Sequence, residues 1–399
     1  MTVEFFEGNR RALLDKLGHG ALVVVTGYGE MQRGNDAAQL FEQEANFWYL
    51  TGIEAPGWWV IMDGNSGKSW LVCPEVEEMQ QIFDGSLDSK TASKISGIKD
   101  VITRDDALNR LRALTKTHSV VYTVNHAKLV REHAHFQLNT APTELQRTLE
   151  RIFQKVQDCY RELAILRTIK QPEEIAAIER AIKVTETALK AVRAQFDAYK
   201  AEYEIEADLT HLIRRSGAAG HAYSPIVASG ANACTLHYHA NQARLSKKQL
   251  VLIDVGARAD GYAADISRTY AFGQPTKRQA EIHRIVERAQ KACIALLKPG
   301  LRFDDYQTSV DQIMTQAVID AGFTADDLHT YFPHAIGHGL GVDVHDTLAG
   351  YETLEPGMVL TVEPGLYIPE EGIGVRIEDD ILITEVGHRN LSGRLATAL

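Results

Sequence analysis

Leu252 to Tyr270, LIDVGARADGYAADISRTY, is the stretch that most narrows the folds open to this chain. Two apolar, strand-like runs flank Ala259-Asp260-Gly261, and an Asp-Gly step between such runs is a strong hairpin signal. A turn centred between Ala259 and Asp260 sets Asp254 directly opposite Asp265. Opposed residues carry their Cβ atoms about 5 Å apart, and like charges there repel. Both aspartates also stand among hydrophobic neighbours, where a carboxylate without a partner is costly. Unless the pair simply faces solvent, something positive belongs between them.

A second hairpin repeats the pattern. Val359 to Glu363 (VLTVE) and Val375 to Leu382 (VRIEDDIL) are strand-like and join through Pro369-Glu370-Glu371-Gly372, which sets Glu363 opposite Glu378. Alternation puts Arg376 on the face of Glu378, a ready partner for a buried acid. Just upstream, Pro333 to Asp346 (PHAIGHGLGVDVHD) carries His334, His338 and His345 among glycines. Imidazole is the commonest metal ligand, and glycine lets backbone approach a neighbour closely. The zinc-protease helix motif would need Glu where Ala335 stands, so the alternative for this stretch alone is a glycine-rich loop with incidental histidines. Four carboxylates in two pairs with one histidine form an oxygen-rich donor set. Such a set suits two divalent ions, Mn²⁺ foremost, with Zn²⁺ or Co²⁺ also compatible.

At 399 residues the chain is long for one core. Its formal charge of −11 argues against binding to nucleic acid, which favours a basic face. Cys73, Cys159, Cys234 and Cys293 form no CxxC pair and imply reduced thiols in a cytoplasmic protein. The opening MTVEFFEGNRRALL does not resemble a signal peptide, and no apolar run is long enough to suggest a membrane span. The first part alternates helical and strand-like segments: a helix at Arg10 to Leu17, then strands at Ala21 to Thr26, Phe47 to Thr51, Trp58 to Met62 and Ser119 to Val124. His133 and His135 fit a surface segment, and Thr143 to Asp158 is a charged helical run. Pro172 opens a long helix with Ile175, Ile178, Ile182, Leu189, Val192 and Phe196 along one face. Further helices are expected at Glu204 to Arg215, Thr276 to Leu297 and Phe303 to Ala321, among strands and glycine loops. The expected organisation is an α/β N-terminal domain over residues 1–160 and a larger α+β C-terminal domain over residues 161–399.

The ordered set Asp254, Asp265, His338, Glu363 and Glu378 resembles the dinuclear site of the pita-bread metallopeptidases. The flanking strings LIDVGA, GYAADISRTY, LEPGMVLTVEPGLYI and GIGVRIEDDILIT resemble the proline-specific branch of that family, which holds the Xaa-Pro dipeptidases (prolidases) and aminopeptidase P. RGNDAAQLFEQEANFWYLTG resembles the creatinase-like N-terminal domain of the same branch, so the resemblance spans nearly the whole chain. It implies a peptidase for Xaa-Pro bonds. Asp254 would bind one metal, Asp265 and Glu378 would bridge two, and His338 and Glu363 would complete the other shell. A hydroxide between the metals would attack the scissile carbonyl, with Glu363 as proton shuttle. His237, His334 and His345 match the family's catalytic histidines; His237 and His345 would contact substrate, and Arg376 would orient Glu378. The glycines beside His338 would leave room for the proline ring. His211, His221, His283, His329 and His388 match no family position and fit surface or core roles, while His239, two residues beyond His237, could face the same site.

Within the branch, the runs from His345 to Glu363 and from Glu363 to Glu378 are short, as in a compact bacterial subgroup of Xaa-Pro dipeptidases. Dipeptidase is therefore the expected activity, with aminopeptidase P as the alternative. Usual prolidases place an arginine shortly after the third histidine to capture the dipeptide carboxylate, whereas this chain has DTLAGYETLEPG there. Another group would have to take that role, and Asp36 matches a position that reaches a neighbouring subunit's active site in aminopeptidase P. The resemblance thus also implies a homodimer or homotetramer. A metal-free creatinase-like hydrolase and a non-catalytic binding protein are the remoter alternatives, and the complete donor set argues against both.

Overall fold

The computed structural model describes residues 1–126, 130 and 135–399, so His133 lies outside the described residues; His135 is exposed. The chain divides into two compact units, Met1–Leu166 and Arg167–Leu399. The division falls inside helix Tyr160–Thr168, later than the boundary expected at residues 160 and 161.

The N-terminal unit is a six-stranded sheet built from β1 (Leu22–Thr26), β2 (Trp59–Asp63), β3 (Lys68–Val72), β4 (Asp100–Ile102), β5 (Val120–Thr123) and β6 (Lys155–Asp158), in the order β4-β3-β2-β1-β5-β6. Strand β1 is buried throughout and apolar up to Thr26 because both its faces are covered: Val23 and Val25 join one core with Phe5, Leu13 and Leu50, while Leu22 and Val24 join another with Leu111 and Leu149. Phe47 to Thr51 is not the strand its aromatic composition suggests but part of helix Ala45–Thr51. Every residue of this helix is buried, so no polar face betrays the helical period; Glu44 caps its first turn and Gly52, at φ 71°, ends it. The charged run from Thr143 is likewise split, into helix Ala141–Glu150 and strand β6.

In the C-terminal unit, the long helix runs Pro172–Ala194 and is followed by helix Glu202–Arg215 and by strands β7 (Gly220–His221) and β8 (Ile226–Ser229). The first hairpin is β9 (Gln249–Val255) and β10 (Ala257–Ala259) returning as β11 (Tyr262–Ala263) and β12 (Ile266–Phe272). Ala259 pairs with Tyr262, so the turn is Asp260-Gly261, with φ of 50° and 83° at the two positions. Two positive φ angles are what a type I′ turn requires. The turn therefore centres one residue beyond the expected point, and Asp254 pairs with Ser267 instead of Asp265. A two-residue change of partner preserves which face each side chain occupies, so both aspartates still point to one side.

The second hairpin has the expected register. Strands β13 (Val359–Val362) and β14 (Gly365–Ile368) return as β15 (Ile373–Arg376) and β16 (Asp379–Thr384). The pairs Val362↔Asp379 and Gly365↔Arg376 bracket Glu363 and Glu378, which sit where the two short ladders meet. Helices Lys277–Leu296 and Phe303–Asp320 bury Ile282, Val286, Val310 and Met314 against Val362, Val375, Ile381 and Ile383, fixing this hairpin to the unit's main core. Among the described residues, no helix is long and apolar enough to cross a membrane.

Candidate active site

His237, Asp254, Asp265, His334, His338, His345, Glu363, Arg376 and Glu378 line one cavity of about 570 Å³ in the C-terminal unit. His239 lines it as well, beside His237, their rings 17° from parallel with centroids 6.1 Å apart. His211 and His329 are exposed and line no part of it. His221 bonds Thr210, His283 is buried, and His388 meets the Leu297 carbonyl. Asp36 is exposed in the N-terminal unit.

The acids are crowded and short of protons. The Tyr223 hydroxyl stands 2.5 Å from Asp254 Oδ1 and 2.6 Å from Asp265 Oδ1, yet a phenol has one proton to donate. Ser267 donates to Glu378 Oε2 at 2.7 Å. Burial, and then the neighbouring negative charges, hold the carboxyls of Asp265 and Glu378 well above the usual range. Oxygen atoms of these two and a nitrogen of His338 lie within 4.8 Å of one another. His338 Nδ1 is 3.0 Å from the Gly339 carbonyl, which can only accept, so its proton sits there and the Nε2 lone pair faces Asp265 Oδ2 and Glu363 Oε1, each 3.5 Å away. Burial lowers this imidazole to about 4, which keeps it neutral and able to ligate. Hard carboxylate oxygens converging with one free imidazole nitrogen, short of positive charge, fit divalent cations.

Arg376 is the lone Arg or Lys among the described residues lining the cavity, and it is fully engaged. It bonds Asp254 Oδ2 at 2.5 Å, Ser267 Oγ at 2.9 Å and the Tyr367 hydroxyl at 3.0 Å. Its direct acid is therefore Asp254, not the expected Glu378, which it reaches only through Ser267. Tyr367 passes the contact on to His334 Nε2, 2.9 Å away, and His334 Nδ1 lies 3.8 Å from Glu363 Oε2. His338 and His345 pack ring against ring, centroids 4.1 Å apart.

The glycines around His338 are required by the packing of the chain itself, and Gly337 also lines the cavity. A Cβ on Gly337 would fall 2.0 Å from the Thr361 carbonyl oxygen, one on Gly339 2.6 Å from the Asp346 carbonyl oxygen, and one on Gly341 1.9 Å from Asp346 Oδ2. Their hydrogens let this segment press against β13 and against Asp346, whose buried carboxylate accepts from Arg167 at 2.8 Å and Lys170 at 3.4 Å.

Three site residues escape a reading of charges and histidines alone. Tyr223, Ser267 and Tyr367 resemble core residues in sequence. Ser267 was the detectable one, since it follows Asp265 by two and so shares its face.

The profile for metallopeptidase family M24 matches residues 176–385, and that for the aminopeptidase P N-terminal domain matches residues 6–122. An Xaa-Pro aminopeptidase of Escherichia coli (strain K12) is 32% identical over 97% of this chain and 94% of its own length. An Xaa-Pro dipeptidase of Pyrococcus furiosus is 31% identical over 87% of this chain and 90% of its own. Among solved structures, aminopeptidase P from E. coli with the inhibitor Pro-Leu matches with a TM-score of 0.85 at 30% identity, covering 100% of this chain and 96% of that one.

Proposed function

The chain belongs to metallopeptidase family M24, and within it we propose that it is an Xaa-Pro aminopeptidase, releasing the first residue of peptides whose second is proline. The expected preference for dipeptides gives way to the alternative. The observation that carries this is the engagement of Arg376. A dipeptidase must neutralise the free carboxylate of its proline, and no other Arg or Lys among the described residues lines the cavity. The segment from Asp346 to Gly357 also carries no basic residue. A peptide that continues past proline has no carboxylate there and makes no such demand. The end-to-end similarity to an aminopeptidase, including the N-terminal domain, supports the same reading. Pro-Leu, the inhibitor in the E. coli structure, begins with proline, as does the fragment such an enzyme releases.

Asp254, Asp265, His338, Glu363 and Glu378 would hold two divalent cations, Mn²⁺ being favoured by the oxygen-rich donors. Bound there, the cations would acidify a water and polarise the scissile carbonyl. Glu363 takes the proton of the attacking water and hands it to the proline nitrogen, which lacks a hydrogen of its own. His237 and His345 donate to the substrate and the developing oxyanion. Arg376 fixes Asp254 directly and Glu378 through Ser267, while Tyr367 orients His334. Asp36 is assigned to the approach of a neighbouring subunit in a homodimer or homotetramer, and the cytoplasm is the proposed compartment.

The dipeptidase reading stays second, supported by the P. furiosus relative. With Mn²⁺ present, Ala-Pro-Ala is expected to be hydrolysed with a kcat/KM at least equal to that for Ala-Pro. Hydrolysis of Ala-Pro alone would return the dipeptidase to first place. An enzyme neither binding nor activated by any divalent ion would instead favour the creatinase-like or non-catalytic alternatives.

A further inference from the structure

Glu202 is completely buried at the start of helix Glu202–Arg215, yet every donor it accepts from is neutral. Its Oε1 takes the Ser229 N–H at 2.7 Å, the Ser229 hydroxyl at 2.7 Å and the Asn232 amide at 3.1 Å. Its Oε2 takes the Tyr238 hydroxyl at 2.9 Å and the Ala243 N–H at 2.8 Å. The Glu202 N–H in turn donates to the Ala243 carbonyl at 3.0 Å. Ser229 ends strand Ile226–Ser229 and Ala243 lies where the chain returns, so one carboxylate ties both ends of the segment 230–242 together. Within that segment it also holds Tyr238, the residue between the two cavity-lining histidines. Tyr238 packs against the small apolar cluster that contains Ile226, Leu252 and Tyr367, while its neighbours His237 and His239 line the cavity.

We propose that Glu202 is a positioning residue of the peptidase: it fixes the segment 230–243 so that His237 is held at the reacting carbonyl. The inference rests on the reading that His237 contacts substrate. An acceptor of five hydrogen bonds has no isosteric substitute, because an amide would turn two hydrogens toward donors. A misplacement of about 1 Å at a catalytic contact costs up to roughly a hundredfold in rate.

A double-mutant cycle on the Mn²⁺-loaded full-length enzyme tests this, with Ala-Pro-Ala as substrate. Glu202→Gln is expected to lower kcat/KM about 10- to 100-fold in the native background but less than about 3-fold in the presence of His237→Ala, because the lost interaction is already gone. Equal losses in both backgrounds would overturn the proposal and leave His237 as a substrate contact. A His237→Ala enzyme with native turnover would overturn both. Tyr238→Phe, which removes a single donor and keeps the ring, is expected to show the same coupling at smaller size, and it serves if Glu202→Gln folds poorly. Hydrogen exchange gives a reading that needs no substrate: Glu202→Gln is expected to speed exchange in residues 230–243 by at least about tenfold while helix Lys277–Leu296 is unchanged. Native exchange rates in that segment would refute the positioning role even in an enzyme that failed to cleave Ala-Pro-Ala, an outcome that counts separately against the aminopeptidase reading.

Discussion

Asp265 is the residue on which the proposed centre turns. It shares one phenolic proton with Asp254 and faces His338 across 3.5 Å, so a cation is the natural occupant of the space between them. Asp265→Ala is expected to cut turnover by about a thousandfold or more, since metal-derived stabilisation of several kcal/mol is lost. Metal content measured alongside the rate checks it, and near-native turnover would contradict the two-metal assignment. A second residue titrates outside the cavity. Burial pushes the Glu174 carboxyl up from 4.5 to about 7, while its oxygens accept from Tyr262 and the Gln171 N–H. Between those pH values the folded protein keeps a proton that the unfolded chain releases, so Glu174 contributes stability that is fully present below pH 4.5 and lost as pH rises through 7. The contribution is on the order of 3 kcal/mol at 1.36 kcal/mol per unit. Urea unfolding of native protein and Glu174→Gln should show the native advantage shrinking across that window. A constant difference would show that the proton stays off Glu174.

At the scale of elements, the two hairpins show what sequence can and cannot deliver. The alternation of apolar residues around Asp254, Asp265, Glu363 and Glu378 marked the strands and the shared face, because one side of each strand had to be buried. The second register was correct because the connection through Gly372, at φ 62°, leaves a single symmetric centre. The first was displaced because Asp260, and not only Gly261, adopts positive φ, a choice that composition alone does not fix. The helix at Ala45–Thr51 was illegible for the opposite reason: with every side chain buried it has no polar face to count from. Tyr223 and Glu202 were invisible because their importance lies in contacts with residues distant in sequence, such as Tyr223 with Asp265 and Glu202 with Ala243. Gly256 joins β9, which carries Asp254, to β10, and a Cβ there would fall 1.7 Å from the carbonyl oxygen of Ala264, the residue before Asp265. Neither backbone can retreat without parting the hairpin. Gly256→Ala should destabilise the C-terminal unit by about 1–3 kcal/mol and weaken Mn²⁺ binding, as measured by thermal unfolding and by titration calorimetry. Native affinity in a folded variant would mean that the spacing of the aspartates tolerates the added methyl.

On the scale of the whole molecule, the division at Leu166 separates a sheet domain with its own two cores from the unit that holds every proposed ligand. Charge is distributed unequally in consequence. The C-terminal unit buries Asp254, Asp265 and Glu378 together, with Arg376 as the nearby compensating cation. Binding of divalent ions to such a site stabilises only the folded form of the unit that carries it, by about 2.7 kcal/mol for each site at a free concentration one hundred times the dissociation constant. The N-terminal unit holds none of the proposed ligands. Calorimetry with and without a chelator should therefore resolve two behaviours: a transition of the C-terminal unit that falls in temperature when Mn²⁺ is withdrawn and recovers when it is restored, and an N-terminal transition that does not move. Proteolysis read by mass spectrometry gives the same test with residue resolution, new cuts being expected after residue 167 in the chelated protein. A single transition shifted as a block would show that the two units unfold together, and a transition indifferent to metal would remove the buried carboxylates' claim to a cation.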